Sequence, residues 1–178
     1  MVPAEPVVKE VELRPPVLAH LEHQGYRAWA DPDGRDYFDI AALRDREVGL
    51  VELKVASARA VFVQALRRRA WAGWVAVALP SRRAARRLVW APQPERARRV
   101  GVWVVERGKV DEMRAAAPLC APGERDPFLE SRERLRGLLT AMARGEVPDG
   151  VRWGFAGSPR LAGAHRRSTA DWRLEEFP

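Results

Sequence analysis

Glu52 and Lys54 stand two positions apart in GLVELKV, residues 49–55, a run that is otherwise leucine, valine and one glycine. Side chains alternate between the two faces of a β-strand, so Leu50, Glu52 and Lys54 would share one face and Val51, Leu53 and Val55 the other. The same rule puts Tyr37, Asp39, Ala41 and Leu43 of YFDIAAL, residues 37–43, on one face of a preceding strand. If the two strands pair through the polar turn RDREVG at 44–49, two carboxylates and an ammonium group converge. Each buried charge is costly unless it is neutralised. A divalent cation would neutralise the acidic pair, and Mg²⁺ suits it because it takes few carboxylates and completes its octahedron with water and substrate phosphate. The alternative for the same residues is a half-exposed strand with Glu52 and Lys54 in water.

The surrounding pattern supplies elements to position these groups. PPVLAHLEHQGY (15–26) reads as a short helix with Pro15 and Pro16 in its first turn and Gly25 as its stop. RAWA (27–30), YFDIAAL (37–43) and LVELKV (50–55) read as strands of an antiparallel meander, with DPDGRD (31–36) as a turn. From Ser57 as N-cap, SARAVFVQALRRRAWAG has helical spacing with Gly73 at its end. WVAVALP (74–80) reads as a strand buried on both faces, and SRRAARRLVW as a second basic helix capped by Ser81. RVGVWVVERGKV (99–110) reads as a last strand or a hairpin turning at Arg107 and Gly108. This order predicts an α/β fold, a mixed sheet with helices on its faces. After the Pro-rich joint APLCAPGERDPF (117–128), Asp126 and Pro127 open a helix that runs to about Arg144 and stops at Gly145. The expected division is a core at 1–117 and a mainly helical or irregular appendage at 118–178.

Asp39 in FDI, followed by ELK at 52–54, resembles the PD-(D/E)XK phosphodiesterase superfamily, which includes restriction endonucleases, junction resolvases and RecB-type nucleases. The resemblance covers about residues 10–110, where the element order also looks like that family's core, although Phe38 stands where the family usually has Pro. It implies a restriction-endonuclease-like fold and a nuclease that hydrolyses DNA phosphodiesters in repair, recombination or restriction with Mg²⁺ or Mn²⁺. It also implies that Asp39, Glu52 and the Leu53 carbonyl hold the metal, that Lys54 orients water or stabilises charge at the phosphate, and that Gln64 touches substrate or water. A catalytically inactive nucleic-acid-binding module of the same fold is the alternative. Among acids that could add to the site, Glu22 lies three residues before Gly25, and Glu12 is preferred to Glu10. A surface role is expected for Glu10 and Glu12.

Charge supports a polyanionic partner. Residues 53–105 hold 12 basic side chains and 1 acidic one, a block that attracts polyanions by counterion release. Arg59, Arg67, Arg68, Arg82, Arg83, Arg86 and Arg87 can supply phosphate contacts, which position nucleic acid without reading its sequence. The alternative is a solvated Arg-rich surface. The chain has 28 Arg and only 3 Lys, one of them Lys54. That choice matters because lysine can give up a proton where arginine stays charged. The single Cys120 has no partner for a disulfide or zinc site and is expected to pack. His20, His23 and His165 show no metal spacing, and Trp153 and Trp172 are expected to pack the appendage. There is no P-loop, GxGxxG or GxSxG motif. No apolar run approaches the roughly 20 residues of a membrane helix, and the acidic, Pro-containing start does not resemble a secretory signal. A cytoplasmic protein with no membrane partner is expected, with a homodimer or an accessory protein through the appendage as possible assemblies.

Overall fold

A computed structural model describes residues 9–30, 38–55, 58–120, 126 and 128–146, apart from the side chains of residues 58–61 and 96. Its elements are α1 (Glu10–His23), β1 (Arg27–Ala30), β2 (Ile40–Arg44), β3 (Glu47–Leu53), α2 (Ala58–Arg68), β4 (Trp74–Leu79), α3 (Arg82–Trp90), the single turn α4 (Glu95–Arg98), β5 (Gly101–Glu106), β6 (Lys109–Arg114) and α5 (Leu129–Ala143). The strands form one mixed sheet in sequence order. β1, β2 and β3 pair antiparallel in turn, β3, β4 and β5 run parallel, and β6 returns antiparallel to β5. The expected α/β mixed sheet with helices on its faces is therefore present.

Alternation along the strands divides the core into two layers. Val48, Leu50, Val75, Val77, Val102 and Val104 point to the face covered by α2, α3 and α5, where Phe62, Leu66, Ala85, Leu88, Leu135 and Leu139 meet them. Val51, Leu53, Ala76, Ala78, Trp103 and Val105 point to the other face, against Leu13, Val17 and Leu21 of α1. All six residues of β4 are buried, which explains its unbroken apolar sequence. Within 118–178, α5 packs Leu135 and Leu139 into the sheet's core, and the chain beyond Glu146, with His165, Trp153 and Trp172, lies outside the described residues.

Several boundaries differ from the sequence expectation. α1 starts at Glu10, five residues before Pro15, and keeps Pro15 and Pro16 inside the helix. Glu12 accepts the Lys9 backbone N–H at 3.2 Å and so closes the first turn. β3 begins at Glu47 because the β2–β3 connection is only Asp45 and Arg46, between the paired residues Arg44 and Glu47. Asp45 takes φ 53°, a left-handed conformation that Asp tolerates in tight turns. Gly49 is therefore a strand residue rather than part of the turn. A Cβ there would lie 1.9 Å from Trp74 Cζ2, so the ring of β4 occupies the space a side chain would need. The expected hairpin at Arg107 and Gly108 is present, with φ 52° and 74° at those residues. Ser81 caps α3 by accepting the Ala84 N–H at 3.3 Å. The Ser57 cap and the turn at 31–36 lie outside the described residues.

Candidate active site at the end of β3

The short β2–β3 turn sets the geometry of the site. Ile40 pairs with Val51, and one further step along the same register brings Asp39 opposite Glu52. Asp39 lies just before β2, where Oδ2 accepts the Leu53 backbone N–H at 2.7 Å. Glu52 is 4% exposed, and its Oε1 accepts from Arg68 Nε of α2 at 2.7 Å. Lys54 follows the last residue of β3. Its backbone N–H donates to Ala78 O of β4 at 3.1 Å, and its Nζ donates to Glu10 Oε1 of α1 at 3.0 Å. Two helices on opposite faces of the sheet thus send a charged side chain to the same strand end.

The electrostatics follow from that crowding. Burial pushes the Asp39 carboxyl above its usual range, while the Leu53 N–H and the Lys54 charge hold it down and the Glu10 charge pushes it up. Burial also raises the Glu52 carboxyl, Arg68 opposes that rise through charge and hydrogen bonding, and the Asp39 charge adds to it. A cation placed between the two carboxylates would relieve both the burial and the mutual repulsion.

The donor chemistry fits a hard cation. Asp39, Glu52 and the Leu53 carbonyl are all oxygen donors, and the hydrogen bonds described above use only Oδ2 of Asp39 and Oε1 of Glu52. Mg²⁺ commonly takes one or two carboxylates and keeps several waters. Among the described residues no group of three or more His, Cys, Asp or Glu is gathered for an ion, so a larger protein cage is not formed there. Arg68 competes for Glu52.

The other sequence candidates have distinct placements. Gln64 lies one helical turn before Arg68 on α2, with its Oε1 buried and without a hydrogen-bond partner. Arg67, half-buried on the same helix, has its pKa pushed down by burial. Arg82 is held by Asp111 at 2.6 Å and Glu106 at 3.5 Å, whereas Arg83, Arg86 and Arg87 project exposed from α3. The Arg59 side chain lies outside the described residues. Glu10 reaches Lys54, and Glu12 serves the helix cap, an assignment that reverses the order of preference drawn from sequence. The Glu10 contribution was concealed by Pro15 and Pro16, which read as a helix start, although the spacing of Leu13, Val17 and Leu21 already marks one apolar stripe through them.

Among the described residues no helix is long and apolar enough to cross a membrane. Comparison with protein-family models, with curated proteins and with solved structures finds no match to this chain.

Proposed function

We propose that this chain is a divalent-metal-dependent nuclease with a restriction-endonuclease-like core, acting on DNA phosphodiesters. The observation that carries the reading is the pairing of Asp39 with the Glu52–Leu53 segment, which puts two carboxylates of raised pKa and one lysine at a single strand end. Asp39, Glu52 and the Leu53 carbonyl would hold Mg²⁺ or Mn²⁺. When bound, such an ion lowers the pKa of its water and screens phosphate oxygens. Asp39 and Glu52 contribute the negative charge that retains the cation, and the Leu53 N–H fixes the orientation of Asp39. Lys54 contributes a compact positive charge for the attacking water or the phosphate, with Glu10 holding its ammonium group at the strand end until substrate competes for it. Arg83, Arg86 and Arg87 offer exposed phosphate contacts that position a strand without selecting its sequence.

The Glu52–Arg68 ion pair favours a second reading, a nucleic-acid-binding module of the same fold in which the guanidinium has taken the cation's place. Cleavage assays separate the two. Purified protein with Mg²⁺ or Mn²⁺ should cut duplex, branched or single-stranded DNA. Lys54→Ala should lower the rate by about 10²–10⁴-fold, the range for removing a positioned catalytic group, while DNA binding persists. Binding without cleavage by the wild-type protein under either metal would support the module instead.

A further inference from the structure

Trp90, the last residue of α3, is 81% exposed, more than any other large apolar side chain among the described residues. Single exposed apolar residues are ordinary, so what distinguishes Trp90 is its setting. α3 turns by about 100° per residue, which gathers Arg83, Arg86, Arg87 and Trp90 into an arc of about 100°, with Trp90 inside the arc rather than at its edge. All four are exposed. The opposite side of the helix carries Ala85 and Leu88, which are buried in the core. Arg86 and Arg87 stand four and three residues before Trp90, the spacings at which helical side chains are neighbours. No residue of α3 is acidic. Among the described residues no carboxylate pairs with Arg83, Arg86 or Arg87, whereas Asp111 and Glu106 engage Arg82.

This row starts beside the candidate active site. β4 runs parallel to β3, and the Lys54 N–H reaches Ala78 O near the end of β4. Only Pro80 and Ser81 separate Leu79, the last residue of β4, from α3. Arg83 therefore lies toward the edge of the sheet that holds Asp39, Glu52 and Lys54, and Trp90 lies about 10 Å farther along the helix axis.

An indole set among three free cations discriminates between polyanions. A helix that lies on a membrane inserts its aromatic residues with its apolar face, but the apolar face of α3 is already packed against the core and Trp90 stands on the other side. An acidic peptide would pair with the arginines and supply no planar group for the indole. Duplex DNA offers phosphates, yet its base faces are stacked inside the helix. An unpaired strand offers both, because each phosphate is linked to a base with an open π-face. We propose that the exposed face of α3 binds single-stranded DNA, with Arg83, Arg86 and Arg87 holding phosphates and Trp90 stacking on an unpaired base. This rests on the nuclease reading for the identity of the polyanion, and it narrows the substrate to DNA with an unpaired stretch beside the active site.

Fluorescence anisotropy of a labelled oligonucleotide tests this with the full chain in EDTA, so that binding is read without cleavage. Trp90→Ala, at a side chain with little packing to lose, should weaken binding of a mixed-sequence single strand by about 5- to 150-fold, the range for removing one base-stacking aromatic. Trp90→Phe should recover much of that loss. The slope of log K against log salt should be the same for Trp90→Ala as for wild type, whereas Arg86→Ala should reduce it by about 0.7. A duplex of the same sequence and a strand of abasic sites should each bind Trp90→Ala as they bind wild type. Single-strand affinity unmoved by Trp90→Ala, or lowered by the same factor for the duplex and the abasic strand, would overturn the proposal and leave the nuclease reading standing. So would a Trp90→Ala that turns a dimer into a monomer in sedimentation with strand affinity unmoved, which would assign the face to a second copy of the chain. A wild-type chain that binds no strand would count against DNA as the partner, and so against both.

Discussion

At Asp39, burial and one backbone hydrogen bond pull in opposite directions, and burial wins. Because the folded Asp39 and Glu52 carboxyls have pKa values above their ordinary 3.8 and 4.5, the folded state binds more protons than the unfolded one in that window. Stability contributed by this pair therefore falls as pH rises from those ordinary values through the raised ones. Asp39→Asn removes the charge while its amide oxygen can still accept the Leu53 N–H. It should raise Tm at pH 8 by a few degrees, since about 1 kcal/mol moves Tm by about 2–4 °C at this chain length, and leave Tm nearly unchanged at pH 4. Thermal unfolding followed by circular dichroism at the two pH values checks this, and an equal gain at both would exclude a charge penalty. The face each of Asp39 and Glu52 takes within its own strand was legible in the sequence from the two-residue period, whereas their meeting on one face required the register that the tight β2–β3 turn sets. Arg68 as the partner of Glu52 was not legible, because that pairing depends on how α2 is rotated against the sheet.

Among the elements, β3 and α5 show what sequence patterning conveys and what it leaves out. The continuous apolar runs identify β4 and β5 because strands buried on both faces have no polar alternation to obscure them. Gly49 reads as turn in the sequence because glycine is a common turn residue, whereas its function in β3 is to admit the Trp74 ring. The helix after the Pro-rich joint is also visible from its stop at Gly145, although it begins at Leu129 behind Phe128 and not behind Asp126. Asp126 instead accepts the Phe128 N–H at 2.9 Å just ahead of the first turn. The docking of this helix is not visible. Leu135 and Leu139 of α5 are fully buried in the layer that contains Leu50 and Val77. Leu139→Ala should therefore lower the unfolding free energy of the whole sheet by about 2–5 kcal/mol, as for other large-to-small core changes. Denaturant unfolding should show one transition shifted to lower midpoint. A separate early transition, with the main one unmoved, would mean that α5 folds apart from the sheet.

For the whole molecule, the basic excess of residues 53–105 is unevenly available to a partner. Arg68 and Arg82 are engaged by Glu52 and Asp111, leaving Arg83, Arg86 and Arg87 as the exposed row on α3. Charge composition reveals the excess, but only the tertiary arrangement separates cations bound to the protein's own carboxylates from cations facing outward. Replacing Arg83, Arg86 and Arg87 by Ala should weaken DNA binding and reduce the slope of log K against log salt by about 0.9 for each duplex phosphate that is no longer neutralised. Fluorescence anisotropy across a salt series measures that slope, and an unchanged value would place the DNA elsewhere.

Whether Asp39 and Glu52 hold a divalent cation beside Lys54 decides the nuclease reading. Anomalous scattering from a crystal of the protein soaked in Mn²⁺ addresses this at the site itself. The expected result is a Mn²⁺ peak bonded to both carboxylates, with Arg68 withdrawn from Glu52. Absence of a peak at saturating Mn²⁺, with the Glu52–Arg68 pair intact, would contradict it.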